Sequence, residues 1–438
     1  MIEITRRKAV KKMPKKLFCH HLDKPQAKPV CHAGSPSPFQ ADKNQKNLAL
    51  IALIFVAFIA LGLPDGLLGV GWPSIRTDFK QPLDALGMLL FASMTGYLIS
   101  SFFSGAIERR LGVGRVLVFS CMVTGLGLIG YTLIPFWWMM VLLGLAAGLG
   151  AGGIDSNLNA YVAKYHGPGL MQWLHASYGI GVTVGPLLMT YFLSHFGQWR
   201  MGYRVVGGFQ LALALIFTLT LPLWRRPGQQ SPAPRSQHNE AAGQPQPSLW
   251  QTLKHGSTAI GLLQFFIYTG CEVTLGIWAY SLLTEGRGIP AATAGLVSGS
   301  FWGLFAVGRV LAGLMASKIN MQKLVITALG FALLGALVLA WNPSPLLSLL
   351  AVGLIGFSYA PIFPGLVSAT EARVGSLHLG NAVGMQTAAA GLGGTSLASL
   401  AGVLARHFGL NMVAFVLLGL IALLMLVVIA AYKMRPEG

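Results

Sequence analysis

The chain has 438 residues, of which 54% are hydrophobic and only 10% carry a charged side chain. A soluble domain carries about 25% charged residues, so this composition excludes an ordinary soluble enzyme. The formal net charge is +18, but 11 of the 31 Lys and Arg fall in residues 1–46 and most of the others lie in loops. The basic residues are thus not gathered into one patch on a folded surface, so we expect no nucleic-acid partner.

Residues 1–46 form a basic tail, with three acids against its 11 basic residues. No apolar stretch precedes residue 47, so we expect the tail to be disordered and uncleaved in the cytoplasm. The tail contains a group of zinc-type ligands: Cys19, His20, His21, Cys31 and His32. Their spacing matches no closed zinc site, and we expect neither a metal ion nor a cofactor.

Twelve windows that are nearly free of charge follow the tail. A helix needs about 20 apolar residues to cross a hydrocarbon core ~30 Å thick, so each window predicts one transmembrane helix. The windows are 47–72, 85–106, 116–135, 137–160, 170–193, 205–223, 258–283, 292–315, 324–341, 346–369, 379–404 and 411–432. The predicted fold class is an all-α membrane protein.

Residues 225–251 separate the sixth window from the seventh and contain five prolines with many Gln and Ser. Such a composition buries almost no apolar surface, so this segment predicts a linker. It divides the chain into two six-helix bundles, residues 47–224 and 252–433, with a short end at 434–438.

The two bundles show signs of internal duplication. Asp65 and Glu272 lie 207 residues apart in the first and seventh windows, and Gly105 and Gly313 lie 208 apart near the ends of the second and eighth. Membrane transporters are commonly built from such repeats around a central site. The sequence therefore predicts two pseudo-symmetric bundles.

Basic residues are distributed unevenly between the two sides of the predicted helices. With both termini on the same side, that side holds 25 of the 31 Lys and Arg, and Lys and Arg favour cytoplasmic loops. We therefore expect both termini and the linker in the cytoplasm, with the protein in the bacterial inner membrane. The outer side holds six basic residues: Arg76, Lys80, Arg200, Arg204, Arg287 and Arg406.

Four formal charges lie within the twelve windows: Asp65, Asp155, Glu272 and Arg309. An ionised group in hydrocarbon costs at least ~2.5 kcal/mol on insertion scales, so such residues usually face a water-filled cavity or a partner. We expect the acids to line a central cavity, with pairing to helix ends as the structural alternative. Arg309 lies near the cytoplasmic end of its helix, where we expect a structural lock.

Polar neighbours extend this candidate site in the first bundle. Asp155 follows the segment GLGAGG, whose glycines allow close helix packing, and Asn159 shares its helix face four residues later. His175 and Tyr178 in the fifth window are three residues apart and are candidates to line the same cavity.

In the second bundle, Gln264, Tyr268 and Glu272 form a polar stripe at positions i, i+4 and i+8 of the seventh window. Residues at this spacing share one face of a helix. We therefore expect the stripe to contribute substrate contacts from the second bundle.

The loop after the second window, Gly105-Ala-Ile-Glu-Arg-Arg-Leu-Gly112, resembles the G-x-x-x-D-R-x-G motif of the major facilitator superfamily. Gly105, Arg110 and Gly112 match, whereas Arg109 stands where the family has its acid. The resemblance covers residues 47–432. It implies a substrate cavity between the bundles and structural or gating roles for the matching residues and for Arg309.

Within that superfamily, Gly-Gly-Ile-Asp155-Ser-Asn-Leu-Asn159-Ala-Tyr and Leu-Pro-Asp65 resemble segments of the fucose-proton symporter type. This resemblance implies proton coupling by Asp155, with Asp65 as a further candidate, and sugar recognition by Asp65. We therefore expect a monomeric sugar-proton symporter whose partners are a small-molecule substrate, protons and the bilayer.

Two other functions stay open. Gly181-Val-Thr-Val-Gly185-Pro186 resembles part of the G-x-x-x-G-P motif of drug-proton antiporters. A non-transporting receptor or scaffold on this fold is the second alternative, although a scaffold has no need of costly buried acids. The sequence contains no GxxxxGK[ST] loop for ATP, so the energy for transport is expected from a gradient.

Overall fold

In the computed structural model the backbone is described for residues 38–166, 168–224, 247–254, 256–315 and 319–433. The chain divides into two units, Met1–Lys46 and Asn47–Gly438. Most of the predicted tail and linker, and the end at 434–438, lie outside the described residues. All regular structure that is described is helical.

The first half contains six long helices; one turn of 3-10 helix, Leu83–Ala85, joins the first to the second, and another, Leu221–Trp224, follows the sixth. Residues 38–47 of α1 precede the part that is apolar enough to span a membrane, Leu48–Asp78. The helices are α1 Pro38–Asp78, α2 Leu86–Leu111, α3 Val113–Tyr131, α4 Trp137–Tyr165, α5 Pro168–Phe196 and α6 Trp199–Leu219.

The second half begins with a short helix and continues with six long helical segments. Within it, α12 packs on α8, and α10 packs on both α11 and α13. The helices are α7 Leu249–Lys254, α8 Gly256–Thr284, α9 Ala291–Met315, α10 Met321–Trp341, α11 Pro345–Tyr359, α12 Ile362–Phe408 and α13 Met412–Lys433.

Among the described residues, eleven helical stretches are apolar and long enough to cross a membrane, and one of them, Pro345–Phe408, has 64 residues. At ~1.5 Å per residue this stretch would extend about 95 Å, three times the hydrocarbon thickness. Gly375 interrupts it with φ 73° and ψ 162°, a conformation that a side chain would strain. The stretch therefore provides the two spans predicted at 346–369 and 379–404, and the prediction of twelve spans is confirmed.

In the described part of the chain, the two halves contact each other where α1 meets α8, α2 meets α12 and α5 meets α9. A Cβ atom built on Gly69 would lie 2.8 Å from the carbonyl oxygen of Ile277 and 3.0 Å from that of Gly276. Gly69 and Gly276 are 207 residues apart, the same offset that separates Asp65 from Glu272. The helices α1 and α8 thus cross at equivalent positions, as a duplicated unit predicts.

Two ion pairs join the halves at the end of the molecule where α1 and α8 terminate, which we call the gate end. Arg76 pairs with Glu285 at 2.8 Å, and Arg406 pairs with Asp84 at 3.0 Å. Each pair links one half to the other, so the two halves are held together at the gate end.

Candidate functional site

Asp65 lies in the middle of α1, where its side chain is exposed although Gly66 and Leu67 beside it are buried. The hydroxyl of Tyr178 on α5 donates a hydrogen bond of 2.7 Å to Oδ2 of Asp65. A carboxylate at this depth thus has a neutral donor on one side and open space on the other. Such an arrangement leaves lone pairs free for a hydroxyl-bearing ligand.

Glycines explain why Tyr178 reaches Asp65. A Cβ atom on Gly62 of α1 would lie 2.5 Å from the carbonyl oxygen of Tyr178, and one on Gly181 of α5 would lie 2.2 Å from that of Ile59. Gly62 and Gly181 each have a second glycine four residues later, and small residues at this spacing let membrane helices approach closely. The close crossing of α1 and α5 sets the carboxyl–phenol contact.

Asp155 on α4 has donors on both carboxylate oxygens. The hydroxyl of Tyr97 on α2 donates to Oδ2 at 2.6 Å, and the amide of Asn159 donates to Oδ1 at 3.0 Å. A Cβ atom on Gly152 would lie 2.4 Å from the carbonyl oxygen of Tyr97. The glycine-rich segment before Asp155 therefore packs directly against α2 and brings Tyr97 to the carboxyl group.

Charged and titratable side chains from both halves interact around this space. His175 on α5 interacts electrostatically with Asp155 and with Arg309 of α9. Arg309 and Glu272 on α8 carry opposite charges and interact within the second half. Glu272 also interacts electrostatically with Tyr178 of the first half. We call this group the central cluster: Asp65, Asp155, His175, Tyr178, Glu272 and Arg309.

Equivalent depths support one central location for these groups. Asp65 is 13 residues before the end of α1 and Glu272 is 12 residues before the end of α8, which places each about 20 Å from the gate end at ~1.5 Å per residue. Both lie one helical turn inside the crossing of Gly69 and Gly276. Arg309 stacks its guanidinium over the ring of Phe305 at 4.3 Å.

The other two residues of the predicted stripe on α8 are buried within the second half. Gln264 is 1% exposed and its Oε1 accepts a hydrogen bond of 3.0 Å from Arg373 on α12. Tyr268 is 0% exposed and its hydroxyl donates to the carbonyl oxygen of Tyr359 at 3.0 Å. In this conformation Glu272, which is half-buried, is the part of the stripe nearest to open space.

The motif at Gly105–Gly112 forms the end of α2 and the turn into α3. Gly112 has φ +78°, which favours glycine, and its N–H donates to the carbonyl oxygen of Glu108 at 2.7 Å. Arg110 is exposed, and a Cβ atom on Gly105 would meet only the side chain of Arg109, at 3.7 Å. The motif lies at the end of the molecule opposite the gate end.

Sequence reasoning missed three contributors to this architecture. Arg373 lies between two predicted spans, so it was not counted among the intramembrane charges. The sequence feature that could have revealed it is its position as a basic residue between two apolar segments. Tyr97 has no distinguishing spacing, because its partner lies 58 residues away. Arg76 and Glu285 occupy equivalent helix ends, 209 residues apart, an offset that the repeat would have revealed.

A family model for the Major Facilitator Superfamily matches residues 53–375 and 260–438. The chain belongs to this superfamily. A solved structure of the nucleoside transporter NupG aligns with a TM-score of 0.71 and 16% identity, over 87% of this chain and 99% of that one. The predicted fold class, two six-helix bundles in the major facilitator arrangement, is confirmed.

Three relatives of low identity match most of this chain and most of their own length. "Bypass of stop codon protein 6" of Saccharomyces cerevisiae is 23% identical, over 84% of this chain and 80% of its own. "Sodium-dependent glucose transporter 1A" of Mus musculus is 22% identical, over 81% and 89%. "Glucose/mannose transporter GlcP" of Bacillus subtilis is 21% identical, over 71% and 77%. The chain is a multi-pass membrane transporter of the superfamily and not an enzyme.

Proposed function

We propose that this transporter moves a sugar across the bacterial inner membrane in symport with protons. The observation that carries the proposal is the central cluster, in which Asp65 and Glu272 of opposite halves lie at equivalent depths of α1 and α8, with tyrosine and histidine side chains nearby. Two of the relatives named above are glucose transporters by name, which supports a sugar as the substrate class.

The chemistry of the cluster suits a polyhydroxyl ligand. Carboxylates accept hydrogen bonds from two adjacent sugar hydroxyls, and Asp65 and Glu272 offer such acceptors from opposite halves. Asn159, His175 and Tyr178 add donors and acceptors from the first half. A ligand that bridges both halves stabilises the state in which they close around it, which is the requirement for alternating access.

Gln264 and Tyr268 enter the proposal as positioning residues rather than as contacts in the present conformation. They lie two turns and one turn before Glu272 on the same face of α8, and both are bonded within the second half. Because their partners Arg373 and Tyr359 belong to neighbouring helices, these bonds fix the rotation of α8 and hence the direction of Glu272.

Asp155 is the proposed coupling group, with Asp65 as the second. The Tyr97 hydroxyl and the Asn159 amide stabilise the carboxylate of Asp155 when it is ionised. When it is protonated, the charge that is costly to move through the membrane is removed. A carboxyl group that alternates between these states couples proton movement to the rearrangement of the halves.

The orientation proposed for the membrane places the gate end at the periplasm and both termini in the cytoplasm. In this orientation, Arg76–Glu285 and Arg406–Asp84 close the outer side, and the exposed side chains of Asp65 and His175 lie on the inner side of these ion pairs. The structure then represents an inward-open state of the transport cycle.

Drug-proton antiport is the weaker proposal. The glycines of the Gly181-x-x-x-Gly185-Pro186 segment contact α1, where a Cβ atom on Gly185 would lie 2.7 Å from the Cα of Gly66. Close packing accounts for these residues without an export function. For the second alternative, no observation in the described residues favours a receptor or scaffold over a carrier.

The decisive experiment reconstitutes the purified full chain in proteoliposomes. When the exterior is more acidic, we expect glucose, mannose or a related sugar to accumulate inside the vesicles against its concentration gradient. A protonophore is expected to abolish this accumulation. An inward sodium gradient at equal pH is the parallel arm, and accumulation in that arm alone would replace protons by sodium. Accumulation of lipophilic cations with no uptake of sugar would establish the antiporter instead.

A further inference from the structure

A cavity of about 90 Å³ lies inside the first half, on the side of Asp65 that faces helices of the same half. It is distinct from the space between the two halves, because all of its walls belong to α1, α2, α3, α4 and α6. Its polar lining consists of the side chains of Asp65, Ser93, Thr124, Tyr131 and Tyr203.

One buried hydroxyl in this lining lacks a partner. Tyr203 is 1% exposed, and its hydroxyl makes no hydrogen bond to the described part of the protein. A buried hydroxyl without a partner carries a free-energy penalty, and a polar cavity beside it is the place where ordered water removes that penalty. About 10 to 15 Å³ holds one water molecule on the same volume scale, so the cavity has room for several.

The remaining polar groups complete a path for water. The rings of Tyr203 and Tyr131 lie 5.5 Å apart, and the hydroxyl of Tyr131 bonds to Ser93. Tyr203 also interacts electrostatically with Asp65. The cavity thus extends from the carboxyl group of Asp65 to the tyrosines near the ends of α3 and α6.

The outer limit of the cavity is marked by a hydrogen bond next to these tyrosines. Nε of Arg204 donates to the hydroxyl of Thr132 at 3.2 Å, and the two residues directly follow Tyr203 and Tyr131 in the chain. Arg204 is exposed. This polar contact and the ring of Trp199, which packs against that of Tyr203 at 5.8 Å, lie on the side of the cavity nearest the gate end, whereas the route between the halves is closed there by the ion pairs.

We propose that this cavity holds a group of ordered water molecules that delivers protons to Asp65 from the gate end, by a route separate from that of the substrate. A hydronium at the outer limit passes its proton along the waters, the carboxylate of Asp65 becomes a neutral carboxyl group, and a water molecule remains behind. The proton later leaves Asp65 toward the space between the halves. The transport part of this inference rests on the proposed proton coupling.

The groups that face Asp65 are compatible with this role. Tyr178 donates to its carboxylate from α5, while Asp155 repels its charge from α4. Tyr97 of α2 and Tyr203 of α6 also interact with it electrostatically. Among these groups Asp155 is the only other carboxyl group.

X-ray radiolytic footprinting tests the presence of water without any substrate, because bound water generates hydroxyl radicals in place. In the purified full chain, we expect Tyr203 to be oxidised at least several-fold faster than Tyr268, which is equally buried at 0% exposure but lines no described cavity. Equal, slow oxidation of both tyrosines would mean a dry cavity and would overturn the inference. A drop in Tyr203 oxidation in NaCl, but not in choline chloride, would identify a sodium site instead.

Two variants then test the proton route. Tyr203→Phe removes the unpartnered hydroxyl, and Ala151→Leu fills the cavity from α4. We expect either variant to slow pH-driven sugar accumulation at least several-fold while sugar exchange between equal pools persists, and Tyr280→Phe, a buried tyrosine outside the lining, to behave as wild type. Unchanged accumulation in both variants would refute the route, whereas absence of transport in the wild type would refute the proposed function and leave the footprinting result standing.

Discussion

Nη2 of Arg76, near the end of α1, lies 2.8 Å from both carboxylate oxygens of Glu285, just beyond the end of α8. The two side chains are 27% and 32% exposed, so solvent weakens the pair only partly. Together with Arg406 and Asp84, this contact holds the halves together at the gate end. An opening of the gate end requires that both pairs separate.

Reversal of one charge in this pair is expected to open the gate end. Arg76→Glu places two carboxylates together, and loss of an ion pair of this exposure is worth about 1 kcal/mol, or roughly a five-fold shift in the population of the two states. Spin labels at the exposed positions Thr77 and Ala291 report the change as a longer inter-half distance. The combined variant Arg76→Glu/Glu285→Arg is expected to restore the short distance.

The matched control for this measurement is the ion pair of Arg200 with Asp78, which lies within the first half. Arg200→Ala breaks an ion pair at the same end without touching the contact between the halves. If it lengthens the Thr77–Ala291 distance as much as Arg76→Glu does, the gate assignment is wrong.

Asp155→Asn is expected to uncouple transport. The asparagine mimics the protonated carboxyl group, and its carbonyl oxygen can still accept the hydrogen bond from Tyr97. Exchange of substrate between equal pools is therefore expected to survive, while accumulation driven by a proton gradient is lost. Accumulation that persists in this variant would move the coupling role to Asp65 or His175.

Glu272→Gln is expected to weaken substrate binding about ten-fold while the protein stays folded, because it removes a charge-assisted hydrogen bond worth roughly 1.5 kcal/mol. The measurement is ligand-induced thermal stabilisation of the purified variant. Glu371→Gln, the same substitution at an exposed residue outside the central cluster, serves as the control. Equal affinity in the two variants would assign Glu272 to structure.

Close packing at Gly152 predicts a strong response to the smallest side chain. Gly152→Ala places a methyl group 2.4 Å from the backbone oxygen of Tyr97, and such overpacking costs about 1–3 kcal/mol. At Gly330 on α10 an added Cβ meets nothing within 4 Å, so Gly330→Ala is expected to raise stability slightly. Thermal unfolding of the two variants is expected to shift in opposite directions, and equal shifts would contradict the packing argument.

The proposed orientation predicts the reactivity of single cysteines after the four native ones are replaced. A cysteine at Ala291, exposed at the gate end, is expected to react with an impermeant reagent in intact cells. One at Lys164, exposed near the opposite end of α4, is expected to react only after the cells are opened. The reverse pattern would invert the topology.

The sequence by itself determined that the protein lies in a bilayer, how many spans it has and that its two halves are related by duplication. Each of these properties depends on local composition or spacing. Charge-poor windows of bilayer length predict helices wherever they occur, and the equal offsets of Asp65 and Glu272 record a repeat without reference to any contact. The same local logic identified the intramembrane charges, since an ionised group in an apolar window is costly irrespective of its partners.

Only the tertiary structure decided which of these groups meet. The pairing of Asp155 with Tyr97, of Arg76 with Glu285 and of Gln264 with Arg373 joins residues 58 to 209 positions apart, and no periodicity within a helix encodes such contacts. Helix rotation and crossing distance, set by glycines at the contact, decide whether a polar side chain faces a cavity or a neighbouring helix. For that reason the stripe on α8 was predictable as a stripe, whereas the burial of Gln264 and Tyr268 and the water-sized cavity behind Asp65 were not.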